Sequence, residues 1–179
     1  MKKTFSFTGV LLAALVLAGC ATTLTRDIEI ETQSAPGFSL SDYKSYGWVA
    51  AAQIVNDPQG QWEPPQFDAD AEIRFLINSQ LRGKGLSEAG LSGDLLVAYL
   101  AGVDMTALEL KKDPASEIEL LENAPKGALM VLLIERNSGR AVWAGVAVGD
   151  VKERRSPEDG RKRLAYAVER MFREIPAPR

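Results

Sequence analysis

The chain has 179 residues, with 21 basic and 24 acidic side chains for a net charge of −3, no histidine and a single cysteine. The missing imidazole excludes histidine-based triads and the usual zinc sites, and a lone thiol excludes an internal disulfide. The acidic balance argues against nucleic acid as a partner, and no metal or cofactor is expected.

The first predicted element is an export signal. Lys2 and Lys3 precede an uncharged, mostly apolar run from Thr4 to Ala18 that is too brief to cross a bilayer comfortably. Leu17-Ala18-Gly19-Cys20 resembles the lipobox of bacterial lipoproteins, in which the leader is cut before the cysteine and that cysteine is acylated. Residues 1–19 are therefore expected to be removed and Cys20 to carry lipid, leaving 160 residues with 19 basic against 24 acidic side chains. That length suits one domain, residues 27–179, on a short tether at 20–26. An acidic domain gains nothing from anionic headgroups, so its membrane attachment rests on acyl chains, at roughly 0.8 kcal/mol per buried methylene. Ala21 after the cysteine, rather than aspartate, resembles the sorting pattern that sends such proteins to the periplasmic face of the outer membrane.

From Asp27 to Thr32, Ile28 and Ile30 alternate with Asp27, Glu29 and Glu31, as in a half-buried strand. Tyr43 to Val49 reads as a second strand, and Asn56 to Pro65, with three prolines and Gly60, as a loop. Asp68 or Asp70 can cap a helix running to about Arg82, with Ile73, Leu76, Ile77 and Leu81 on one face. Asp94 to Ala101 is an almost unbroken apolar run that suits a central strand covered on both faces. Val103 to Leu110 continues it or forms a neighbouring strand, and a further strand is placed at Glu117 to Leu121. Ala128–Arg136 and Ala141–Val148 flank Asn137-Ser138-Gly139 as an antiparallel hairpin. Ser156, Pro157 and Asp159 have the spacing of a helix start, and apolar residues from Leu164 to Ile175 follow at helical spacing until Pro176. The order predicts an α+β domain, a mixed and largely antiparallel sheet with two helices packed on one face.

Three segments together resemble the exported bacterial lipoproteins of domain-of-unknown-function family 4136: Phe38 to Trp48, the Asp94 to Tyr99 strand, and Gly127 to Val146 with its Val142-Trp143-Ala144-Gly145 core. The resemblance implies an envelope location and this fold, and no activity. The chain departs from the family pattern at Leu132 and Glu135, where aspartates are usual, and at Ala144, where a bulky or charged residue is common.

Trp48 and Trp143, in predicted strands, read as packing residues, while Trp62 in its proline-flanked loop is a candidate partner contact. Asp68, Asp70, Asp94 and Asp104 lie near element ends where carboxylate pairs do acid–base work, but each also suits a capping or strand-end role. Lys152, Arg154, Arg155, Arg161, Lys162 and Arg163 concentrate basic charge at the last helix start. They face lipid phosphates or cell-wall carboxylates, or pair with Glu153, Glu158 and Asp159 on a solvated face. Arg154 and Arg155 are the candidate contacts there. Gly145, Ala147 and Gly149 leave one strand face nearly without side-chain volume, for a closely packed helix or another approaching group. The expectation is a non-enzymatic envelope lipoprotein that binds an envelope protein or cell-wall component. The alternative is a small-molecule or lipid carrier with a pocket between sheet and helices.

Overall fold

The computed structural model describes residues 21–112, 119–151 and 155–175, so the predicted leader and Cys20 lie outside the described residues. One helical turn, α1 (Ala21–Leu24), leads into β1 (Glu29–Ser34), β2 (Ser45–Asn56), α2 (Ala69–Gly83), β3 (Ser87–Glu88) and β4 (Leu95–Asp104). Then come β5 (Leu108–Lys112), β6 (Glu119–Asn123), β7 (Lys126–Glu135), β8 (Ala141–Asp150) and α3 (Pro157–Arg173). Six strands make one sheet in the order β1-β8-β7-β4-β2-β3, and β5 pairs with β6 as a separate hairpin. β1, β8, β7 and β4 are antiparallel neighbours, whereas β2 runs parallel to β4. Parallel neighbours need a long crossover, and α2 supplies it. The predicted α+β architecture is thus the one adopted.

The ends of each element follow from local chemistry. Asp68 accepts the Ala71 amide at 3.0 Å and starts α2. Ser156 accepts the Asp159 amide at 3.1 Å and Pro157 opens α3, so one free amide in each first turn meets a side-chain acceptor. Between β7 and β8 the chain reverses at Gly139, whose φ of +65° a side chain would resist. Leu95, Val97 and Tyr99 of β4 and Val131 and Leu133 of β7 meet Ile73, Ile77 and Leu81 of α2 and Val168, Met171 and Phe172 of α3. Trp143 of β8 completes this core, its ring 5.2 Å from that of Phe172. A Cβ at Gly145 would stand 2.6 Å from the Trp143 ring and 3.0 Å from the Met171 sulfur. The small-residue position thus makes room for a folded-back indole as well as for the helix.

Three expectations change. β2 extends seven residues beyond Val49, because the ten residues of β4 offer its backbone a ladder that outweighs the weak strand preference of Ala50-Ala51-Ala52. β4 is central but covered on one face only: Leu95, Val97 and Tyr99 are buried, while Leu96 and Ala98 are half-buried and Leu100 is exposed. Both helices lie on the other side of the sheet. The strand expected after β4 turns away and pairs with β6, and the expected strand at Glu117 to Leu121 lies partly outside the described residues, with β6 beginning at Glu119. The tether begins, among the described residues, with a helical turn, which shortens its reach there to about 1.5 Å per residue.

The start of the chain is fastened to its last helix. Arg163 donates from Nη1 to Asp27 Oδ1 and from Nη2 to Asp27 Oδ2, both at 2.6 Å, and also to the Leu24 carbonyl. The Asp150 amide donates to the same carboxylate at 2.8 Å. Gly149 leaves the space, since a Cβ there would be 2.7 Å from Arg163 Nη2. Burial alone would raise the Asp27 pKa, but the Arg163 hydrogen bonds and the backbone amides overcome it and hold the carboxyl well below the usual carboxylate range. The folded carboxyl therefore binds a proton less readily than the unfolded one, at about 3.9. Its contribution is full at neutral pH and is lost as pH falls below about 4. Asp27→Asn is expected to lower stability by about 2 kcal/mol at pH 7, with a smaller loss below pH 4. Urea unfolding across that range checks this; an equal effect of the substitution at pH 3 and pH 7 would contradict it.

Candidate functional site

Where β4 ends and β7 begins, the helix layer and the sheet separate and leave an open cleft of about 1210 Å³. Ala101 of β4, Leu129 of β7 and Ala147 of β8 form its floor, and Ile73 of α2 and Leu164 of α3 form its walls. Small floor residues keep the sheet surface low at this end, so space is left where larger side chains would have met the helices. The loop between β2 and α2 closes over it, bringing Trp62, Pro64, Pro65 and Phe67 to the lining. That loop is drawn tight from within: the Asp57 carboxylate accepts the Trp62 amide at 2.6 Å. This bond, followed by that from the Gln61 amide, holds the Asp57 carboxyl below its ordinary range. Trp62 is half-buried.

One rim of the cleft carries charge. Arg163 and Arg155 both line it, and Asp27 lies between them, paired with Arg163 at 2.6 Å and with Arg155 at 3.9 Å. Asp150, also in the lining, is taken by Lys126 at 2.7 Å, and Lys126 reaches Glu109 as well. Two guanidiniums thus share one carboxylate. Burial, then the neighbouring Arg163, pushes the Arg155 pKa down, against the opposing pull of Asp27, Asp150 and Asp159.

Trp62 and Arg155, singled out from sequence, meet in this cleft. Arg154, Lys152 and Glu153 lie outside the described residues. The rest of the basic cluster disperses. Arg161 pairs with Glu72 at 3.5 Å and stacks 5.0 Å from the Phe67 ring, and Lys162 pairs with Glu158 at 2.7 Å. Asp70 accepts from Arg74 and Tyr99, Asp94 accepts the Lys44 and Ser45 amides, and Asp104 accepts from Asn56 and Thr106. With Asp68 at its helix cap, all four candidate carboxylates serve the fold and none lines the cleft. Trp48 and Trp143 are packing residues as expected, the first half-buried and the second 1% exposed.

Two features escaped the sequence reading. Asp27 was placed on the polar side of a strand, and nothing in its spacing marked a partner 136 residues away. Beside the cleft, Arg74 lies 4.6 Å over the Trp48 ring, Trp48 donates to Asn78 at 3.0 Å, and Tyr99 donates to Asp70. Burial first, and then the hydrogen bond to Asp70, pushes Tyr99 up to about 12, so it remains a donor. Asp70, Arg74 and Asn78 recur every four residues, a polar stripe bordering the apolar face of α2 that could have been noticed.

No helix among the described residues is long and apolar enough to cross a membrane, and no group of acidic or cysteine side chains there is arranged to hold a metal. No curated protein matches the chain in sequence. A crystallised DUF4136 family protein from Bacteroides thetaiotaomicron is 13% identical, with a TM-score of 0.51 over 83% of this chain and 95% of that one. A PDZ domain protein from Parabacteroides distasonis is 14% identical with a TM-score of 0.53, and the present chain, 99% covered, spans only 43% of its length. Lipoprotein GNA1162 from Neisseria meningitidis is 12% identical with a TM-score of 0.35, over 73% of this chain and 98% of that one. At such identities the likeness to the first two is one of fold alone. The model of the domain of unknown function DUF4136 matches residues 30–177, and the chain belongs to that family.

Proposed function

We propose that this is a non-enzymatic envelope lipoprotein, held by lipid on Cys20 at the periplasmic face of the outer membrane, whose cleft binds an acyl chain bearing an anionic head. The observation that carries this reading is the cleft itself, an apolar trough of about 1210 Å³ with a guanidinium-rich rim. Apolar walls with a few convergent charges are the usual form of a site for an amphipathic small molecule. Trp62 and Phe67 would lie along the chain, and Arg155 would meet the carboxylate or phosphate, a charge-assisted contact. This favours the carrier alternative over a purely surface-mediated assembly role. It also fits a short span between lipid and cleft: Arg163, on the rim, holds the Leu24 carbonyl, four residues from Cys20. The cleft would then open near the bilayer from which a lipid is drawn.

Cys20→Ser is expected to move the protein from membranes to the soluble periplasmic fraction; retention would contradict the anchor. With that released form, the fluorescent fatty acid cis-parinaric acid should bind. Ala147→Phe, which fills the floor, and Trp62→Ala should each weaken binding about tenfold or more, the second with unchanged thermal unfolding. Arg155→Gln should weaken the acid but not its methyl ester. Binding indifferent to all three substitutions would remove the cleft as the site.

A further inference from the structure

β3 pairs with only Ser45 and Tyr46, so from Val49 to Asn56 β2 has β4 on one side and, among the described residues, no strand on the other. All eight of these residues are exposed, Val49 at 48%, Ile54 at 57% and Val55 at 46%. The stretch Val49-Ala-Ala-Ala-Gln-Ile-Val-Asn56 contains no charge and no proline. Sheet edges are ordinarily guarded by charges, prolines or brevity, because a row of free amides and carbonyls accepts any other strand. The opposite edge of this sheet is guarded: β1 carries Glu29 and Glu31. Only a bulge between Trp48 and Ala50 interrupts β2, and it lies at the start of the open stretch.

We propose that this edge pairs with the same edge of a second copy, antiparallel, about a two-fold axis through Ala52. The occupant follows from register and charge. Ala50, Ala52 and Ile54 pair with Ala98, Leu100 and Gly102 and so share the uncovered face of the sheet, while Ala51 and Gln53 share the helix-covered face. Antiparallel pairing that keeps each face continuous then sets Ala52 against Ala52, Ala50 against Ile54, and Ala51 against Gln53. Ala50 opposes Ile54 and Ala51 opposes Gln53, so small residues meet larger ones and no like charges meet along this uncharged stretch. The axis makes the contact isologous and closed. The uncovered faces of the two sheets, carrying Leu100 and Met130, would become one surface. Gln53 and Val55 also line the cleft, so the second copy would border each cleft on its open side.

The test uses the full lipidated chain in its own envelope. Copper phenanthroline oxidation of cells producing Ala52→Cys is expected to give a disulfide dimer in at least tenfold greater yield than Gln33→Cys on the β1 edge, since residues on the axis face themselves at disulfide distance. Equal yields, a product containing a different protein, or a disulfide that forms only when the Ala52→Cys and Gln33→Cys chains are produced together would overturn the proposal. For the mature protein in detergent, sedimentation should give a dimer for the unsubstituted chain and a monomer for Ala52→Lys, which places two ammonium groups across the axis without altering thermal unfolding. The same mass for both would overturn it as well.

Discussion

The bidentate pair between Asp27 and Arg163 is the constraint on which the arrangement depends. It joins the beginning of the folded chain to the last helix across 136 residues of sequence, and it does so largely out of water, with the two side chains 19% and 11% exposed. An ion pair so placed contributes less through attraction than through the cost of separating it, since either partner alone would be left a poorly solvated charge. Everything near it is shaped to suit. Gly149 has no side chain to obstruct the guanidinium, the Asp150 amide completes the carboxylate's partners, and Arg163 also holds the Leu24 carbonyl. The pair therefore fixes β1 at the sheet edge, α3 over β8, and Leu24 beside the rim of the cleft.

A packed end and an open end of one sandwich follow from side-chain volume. Toward the β7–β8 turn, Leu133, Trp143, Met171 and Phe172 fill the space between the layers, and Trp143 turns back over Gly145 to do so. Toward the other end, Ala101, Ala147 and Gly149 give the floor so little height that the helices bridge over it. The Trp48, Arg74, Asp70 and Tyr99 network stands between the two regimes and holds α2 to the sheet where the apolar contacts thin out. A cleft at this position is a consequence of composition along three strands.

Most of the fold could be read from residue order because its signals are local. Asp68, Ser156 and Pro157 start helices by satisfying nearby amides, Gly139 allows the hairpin turn, and the apolar spacing in α2 and α3 reports which face is buried. What failed was non-local. The length of β2 is set by its neighbour β4 rather than by its own alanines, and the open face of β4 depends on which elements happen to pack there. The site divided in the same way. Trp62 was marked by its unusual setting in a polar loop, whereas the Asp27 clamp and the sharing of one carboxylate by Arg155 and Arg163 arise only when distant segments meet. Of the three positions at which the chain departs from its family pattern, Leu132 and Ala144 are paired partners on the uncovered face, away from the cleft, and Glu135 accepts from the Tyr43 hydroxyl at 3.3 Å.

The proposed acyl-chain site lies between Trp62 and α3, at the end of the domain that holds the Leu24 carbonyl. The direct measurement is to grow cells producing the unsubstituted protein on a fatty acid with a photoactivatable diazirine, irradiate them, and map the labelled peptides by mass spectrometry. Label carried by a separate lipid and concentrated at residues 62–67 and 160–167 is the result predicted. Label confined to the lipid attached at Cys20, or spread over the uncovered face of β4 and β7, would contradict it.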